Sequence, residues 1–242
     1  NLQCLYCQNH QISDNRNSRE ESRQSLESVI QQITCILDQG IHRIGFVSPS
    51  HFIPQMKVII NVIKSLGYRP IWVYNSNGYD KVESLKSLEG IIDVYLPDFK
   101  YMESDIAWKY SGARDYPEQA GKALKEMFRQ KGATLMKGED QTAESGMIIR
   151  HLVLPGEVKN SLGVVNFIAE ELSPRVHVSL MAQYYPTRQV RHHPTLGRGI
   201  TAEEYREVIY EMERLGLYNG WIQEFESSEF YRPDFNNPHP FE

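Results

Sequence analysis

Short apolar runs alternating with amphipathic segments constrain this chain more than any other feature of its sequence. The runs predict strands at Arg43–Val47, Ile71–Asn75, Asp93–Leu96, Met147–Val153, Val176–Met181 and Trp221–Glu224. Helical spacing of apolar residues marks Leu26–Leu37, Pro54–Leu66, Pro117–Gln130, Val158–Leu172 and Thr201–Leu215. The last of these opens on Thr201-Ala-Glu-Glu204, a capping-box sequence, and stops at Gly216. Strand and helix alternating at intervals of roughly 25 residues is the pattern of parallel βα units, so an α/β fold is expected, with both faces of its strands buried. Lys131–Gly146 is polar and glycine-containing and reads as an exposed insertion. Residues 226–242 read as an irregular tail, with three prolines after Phe230, leaving 1–225 as the folded unit.

A parallel sheet places its working loops at the carboxyl ends of its strands. Polar residues gather at those positions here. Ser48-Pro-Ser-His51 follows the first strand, Asn75-Ser-Asn-Gly78 the second, Asp98-Phe-Lys100 the third, and Gln183 with Tyr184 the fifth. Four such loops on one rim mark a candidate site. Each has a plainer reading beside the functional one. Asp98 and Lys100 can be a surface ion pair, Arg150 can satisfy a strand-end carboxylate, and Asn75–Gly78 can be only a turn. Tyr184 and Tyr185 read as wall.

The 242 residues carry 26 Lys and Arg against 31 Asp and Glu, a net charge of −5. That balance lacks the basic excess of a nucleic-acid binder, so no nucleic-acid partner is expected. No apolar run approaches the roughly 20 residues that span a bilayer. With no basic-then-apolar leader, the chain is expected to be soluble and cytoplasmic, without a membrane partner.

The three cysteines cannot build a disulfide framework. Cys35 lies in a helical apolar pattern and is expected in the core. Cys4 and Cys7 form a Cys-x2-Cys pair, which on its own fits half of a zinc site, a redox dithiol or part of an iron–sulfur motif. His192 and His193 are adjacent in a Pro- and Arg-containing loop, poor chelating geometry, and are expected to be solvent-exposed.

The segment Asn1-Leu-Gln-Cys4-Leu-Tyr-Cys7-Gln-Asn-His-Gln-Ile-Ser13 resembles the cluster loop of radical S-adenosylmethionine (SAM) enzymes, whose signature is Cys-x3-Cys-x2-Cys with an aromatic before the last cysteine. In that register the first cysteine falls immediately before Asn1. Phe46-Val-Ser-Pro-Ser-His51, Val73–Tyr79, Asp93–Lys100, Arg150-His-Leu-Val-Leu-Pro-Gly156 and Leu180–Pro186 are similar to the branch related to pyruvate formate-lyase-activating enzymes. The resemblance runs from residue 1 to about 225.

The resemblance implies a partial (β/α) barrel whose first strand lies upstream of this chain. It also implies a [4Fe–4S] cluster held by three cysteines, with SAM on the open iron and reductive cleavage to a 5′-deoxyadenosyl radical. Cys4 and Cys7 match two cluster ligands; with two of three thiolates, the 242 residues by themselves are expected to be inactive. Ser48–Ser50 stands where the family has a Gly-Gly-Glu-like stretch meeting the SAM amino group. Asn75 and Ser76 match the next loop. Asp98 and Lys100 match positions near the SAM carboxylate, Arg150 and Leu152 positions near ribose and adenine, and Gln183 a rim position facing the nucleoside. The implied purpose is activation of a glycyl-radical enzyme, with flavodoxin or ferredoxin as electron donor. A small-molecule substrate and a barrel without a cluster are the alternatives.

Overall fold

The computed structural model describes residues 1–13 and 24–229; of the expected irregular tail, 230–242 lie outside the described residues. In chain order the elements are α1 (His10–Ser13), α2 (Leu26–Asp38), β1 (Arg43–Val47), α3 (Ile53–Ser65), β2 (Ile71–Ser76), α4 (Val82–Lys86), β3 (Val94–Pro97), α5 (Ser104–Ser111), α6 (Tyr116–Lys131), β4 (Met136–Lys137), β5 (Ala143–Leu152), α7 (Val158–Phe167), β6 (His177–Met181), α8 (Ala202–Arg214) and β7 (Gly220–Ile222). A π turn over Ile168–Leu172 extends α7, and 3-10 turns cover Pro49–His51 and Phe225–Glu229.

One sheet runs β1-β2-β3-β5-β6-β7, every pairing parallel, and β4 joins the start of β5 antiparallel. Spatial order follows chain order because each crossover adds the next strand on the same side, which curls the sheet into an open barrel. Among the described residues the sheet does not close: β1 and β7 each pair on one side only. No described helix is long and apolar enough to cross a membrane.

Burial alternates along β2 and β6. In β2, Trp72, Tyr74 and Ser76 are buried while Ile71, Val73 and Asn75 are half-buried; β6 repeats the pattern with Val178 and Leu180 inside. The expectation that both strand faces are buried holds in the central strands, where Val94 and Tyr95 of β3 and Met147, Ile148 and Ile149 of β5 are all buried, and is corrected for β2 and β6. One face carries the helical layer and the aromatic core (Trp72 on Phe46, Tyr74 on Tyr95, Phe99 on Phe167), and the concave face opens toward the rim. His151 sits on the covered face, fully buried. Its Nδ1–H donates to the Phe99 carbonyl at 2.7 Å and its Nε2 accepts from the Ser161 hydroxyl at 2.8 Å.

The start of α8 matches its sequence signal. Thr201 Oγ1 accepts from the Glu204 N–H, and the Glu204 carboxylate accepts from the Thr201 N–H. Glu204 also takes both terminal nitrogens of Arg198 and the N–H of Gly156, so one carboxylate caps a helix and pins the turn after β5. Gly216, at φ +76°, ends the element.

Three other expectations change. Cys35 is exposed rather than in the core. It stands two residues from both Ile33 and Leu37, about 200° around the helix from the side that packs inward, and its neighbour is Gln39. The 131–146 insertion contains a short hairpin: Met136 pairs with Ser145 and Lys137 with Ala143, so β5 begins before Met147. His192 is exposed as expected, but His193 is half-buried, its Nδ1 accepting from the N–H groups of Thr195 and Leu196.

Candidate functional site

All the parallel strands end on one rim, and the site is built there from the strand ends outward. Asp98 directly follows β3 and bridges to Arg150 of β5, its own N–H donating to the Ser76 carbonyl of β2. Arg150 thus lies level with the end of β3, two residues short of the end of β5. Its Nη2 is 2.7 Å from Asp98 Oδ1 and donates to Asn75 Oδ1 at 2.7 Å. Lys100 Nζ donates to the other Asp98 oxygen at 2.6 Å. One carboxylate is held between two cations, with side-chain exposures of 15% for Asp98, 18% for Lys100 and 28% for Arg150. The pair of Asp98 and Lys100 is not a surface ion pair.

Burial resists ionisation of Asp98, but Lys100 and Arg150 together outweigh it and hold the carboxyl below its ordinary range. Burial likewise resists protonation of Lys100, and the neighbouring Asp98 carboxylate leads the interactions that more than offset it. The cluster is nonetheless not saturated. Among the described residues, Arg150 Nε is buried without a hydrogen-bond partner, and Asp98 Oδ1, although ion-paired, accepts no aligned hydrogen bond. Buried polar groups left open in this way mark a place for a ligand bearing both donors and acceptors.

The remaining rim residues divide by strand parity. Asn75 and Leu152 share the half-buried concave side with Arg150. Ser76 points to the covered face, 2% exposed, and its hydroxyl accepts from the Gly78 N–H. Period-two geometry separates these neighbours, so the structure does not bring Ser76 to Arg150. The stretch after β2 is also a turn, since Tyr79 N–H donates to Asn77 Oδ1. Ser48 follows β1 at φ +51°, its N–H donating to the Asn75 carbonyl, and forms no side-chain cap. Its neighbour Ser50 instead donates to Asp80, which also accepts from Tyr74.

The amino-terminal loop closes over this rim. Gln8 Nε2 donates to the Gln183 carbonyl, and Gln223 Nε2 donates to Gln183 Oε1, so Gln183 anchors the loop to the end of β6. Asn1 donates to the Tyr79 carbonyl and accepts from Asn77. Cys7 N–H donates to the Cys4 carbonyl at 3.1 Å, and both residues line one cavity of about 170 Å³ with His10, Ser13 and Gln189. Burial pushes the Cys4 thiol up, against the pull of nearby Lys100 and a hydrogen bond from Ser111. Tyr184, expected as wall, is buried, its hydroxyl donating to the Leu196 carbonyl.

Sequence reading missed Tyr116 and Ser111. The Tyr116 hydroxyl accepts from the Lys100 N–H and donates to the Asn77 carbonyl, latching two rim loops together. Neither residue stands in a motif, and their contacts to Lys100 and Cys4 lie 16 and 107 residues away in sequence.

Among the described residues, no group of three or more His, Cys, Asp and Glu side chains is arranged to hold a metal ion. Two thiols in one loop, beside a buried ammonium and an open guanidinium, fit a thiolate-bound iron–sulfur cluster with a charged organic ligand. They are one thiolate short of the three implied by the resemblance.

No protein-family model matches the chain. An uncharacterized protein of Methanocaldococcus jannaschii, MJ0674, is 25% identical over 224 residues, covering 90% of this chain; the chain spans 60% of that relative's length. Similar solved structures include a domain of pyruvate-formate lyase-activating enzyme from Bacteroides vulgatus (TM-score 0.50, 15% identity, 75% of this chain and 98% of that one). Streptococcus suis SuiB bound to the precursor peptide SuiA matches over 98% of this chain and 50% of its own (TM-score 0.61, 12% identity). The enzyme anSMEcpe with bound AdoMet matches over 92% and 60% (TM-score 0.58, 13% identity). At these identities the likeness is one of fold. The chain has the α/β architecture of the radical SAM partial barrel, unclosed.

Proposed function

We propose that this chain is the barrel of a radical SAM enzyme. The observation that carries the reading is the meeting, at one rim, of the Cys4–Cys7 loop with the Asp98–Lys100–Arg150–Asn75 cluster. When bound, an iron–sulfur cluster and SAM supply one-electron cleavage of the sulfonium and the 5′-deoxyadenosyl radical. The chain's own residues do the holding. Cys4 and Cys7 supply two thiolates. Lys100, kept charged by Asp98, offers its ammonium to the SAM carboxylate. Arg150 offers its open Nε to the ribose, and Asn75 fixes that guanidinium. Leu152 gives the adenine an apolar contact, Gln183 the nucleoside a hydrogen-bond partner, and the Ser48 loop backbone carbonyls for the amino group.

The proposed substrate is a protein, a glycyl-radical enzyme, with flavodoxin or ferredoxin as electron source. Support comes from the motif order along the chain, from the fold shared with a domain of pyruvate-formate lyase-activating enzyme, and from SuiB, whose structure holds a precursor peptide. The test is anaerobic reconstitution of the full-length protein with iron and sulfide, then SAM and reductant. Release of 5′-deoxyadenosine is expected, and a glycyl EPR doublet should grow in the cognate partner. 5′-Deoxyadenosine release with consumption of a small metabolite and no doublet replaces the protein substrate with a small one. No 5′-deoxyadenosine at all leaves a barrel without this chemistry.

A further inference from the structure

A chain of buried hydroxyls ends on one of the two loop thiols. Ser111, the last residue of α5, donates from Oγ to Cys4 Sγ at 3.0 Å. Its oxygen is 2.7 Å from the Tyr101 hydroxyl, which is 2.6 Å from the Tyr6 hydroxyl. A serine has one hydroxyl proton, and here it is spent on sulfur, so Tyr101 must donate to Ser111. Tyr101 has then spent its own proton, and Tyr6 must donate to Tyr101. All three donors point the same way, toward Cys4. Tyr101 is 0% exposed, Ser111 5% and Tyr6 6%, so water does not compete with the relay. The backbone reinforces it: Leu5 N–H donates to the Tyr110 carbonyl at 2.8 Å, docking the cysteine loop on the end of α5.

We propose that Ser111, polarised through Tyr101 and Tyr6, is a positioning residue that orients the Cys4 thiolate and raises the reduction potential of the cluster it binds. The inference rests on the radical SAM reading above. Hydrogen bonds to cluster sulfurs stabilise the more negative, reduced state, and so raise the potential. Hydrogen bonds in a low-dielectric chain polarise one another, so the last donor acts more strongly than an isolated serine. α5 thereby has a part in the chemistry without touching SAM or substrate: it sets how easily an electron is accepted.

The experiment is a redox titration of reconstituted full-length protein, followed by EPR of the reduced cluster, for wild type, Ser111→Ala and Tyr101→Phe. Iron content and circular dichroism are measured in each. Ser111→Ala should lower the midpoint potential; a tenfold change in the one-electron equilibrium is about 59 mV. Tyr101→Phe leaves the serine in place but removes its polarising donor, together with the Tyr101 hydroxyl's own interaction with Cys4, and should shift the potential the same way. If Ser111→Ala does not fold, the sign of the Tyr101→Phe shift decides. A merely structural role would change cluster content or melting and leave the potential of the loaded fraction where it was, which overturns the proposal. Wild type that assembles a cluster whose potential neither variant moves overturns this inference alone. Wild type that assembles no cluster overturns it together with the radical SAM reading.

Discussion

Arg150 and Asn75 lie 75 positions apart in the chain and are joined by a single 2.7 Å hydrogen bond from Nη2 to Oδ1. The same Nη2 meets Asp98, so one nitrogen ties together the ends of β2, β3 and β5. The guanidinium is fixed from one side while Nε stays open, an arrangement that orients a donor without consuming it.

Asp98 is the member whose loss costs most. Asp98→Ala leaves Lys100 and Arg150 facing each other, both mostly buried, with no carboxylate between them. Arg150→Leu leaves Asp98 still paired with Lys100. Allowing for their partial exposure, Asp98→Ala is expected to cost about 2 kcal/mol in urea denaturation, and Arg150→Leu less. In SAM titrations of the loaded protein, Asp98→Ala should weaken binding by about tenfold or more, roughly 1.4 kcal/mol. Lys86→Ala, on the exposed end of α4, should not weaken it. Equal affinities for all three proteins would reduce Asp98 to a scaffold charge.

Cys4→Ala and Cys7→Ala should each abolish the [4Fe–4S] spectrum of reconstituted full-length protein, because three thiolates hold the cluster in the proposed site. Cys35→Ala should leave it intact, since that thiol faces outward on α2. A full cluster in either loop variant, or its loss with Cys35, would reassign the ligands.

His151 gives the fold an acid limit. Burial, first of all, pulls its pKa down to about 4, and the folded protein holds it neutral between Phe99 and Ser161. Unfolded, the imidazole takes up its proton near pH 6.5. Its contribution is therefore complete above pH 6.5 and lost as pH falls from there toward 4. The unfolded state binds the extra proton in that window, which costs about 2 kcal/mol between pH 7 and pH 5. Urea midpoints at the two pH values should show this loss in wild type and a smaller one in His151→Gln, whatever the variant's absolute stability.

Much of the fold was legible because βα units announce themselves locally. Strand β1 and the start of α7 lie where the apolar spacing puts them, and the Thr201–Glu204 cap is a four-residue signal. The face of a residue was less legible where one step of register decides it. Ser76 and Asn75 look alike as candidates, and the pleat sends them to opposite sides. Cys35 sits in an apolar segment, and the helical turn carries it outward. The partners that complete the site, Ser111 on Cys4 and Tyr116 on Lys100, were not legible at all. Their separations of 107 and 16 residues carry no spacing rule, and only the folded chain brings them together.

Gly78 connects the barrel to the site, and Gly78→Ala is expected to damage both. Its φ is +78°, a conformation that costs an alanine about 1–2 kcal/mol. A Cβ built there would also stand 2.2 Å from the Asp98 carbonyl oxygen, a backbone atom that cannot rotate away. Either the turn after β2 or the Asp98 backbone must move, and both are held by the Tyr116 latch. The expected result is a destabilisation of about 3 kcal/mol, larger than strain at φ alone produces. Because the displaced segment carries Asp98, SAM affinity should fall alongside it. Gly90→Ala is the control: φ there is +71°, but nothing lies within 4 Å of the added carbon. If the two variants lose stability equally and Gly78→Ala keeps wild-type SAM affinity, the close approach of the turn to Asp98 has no part in positioning the carboxylate.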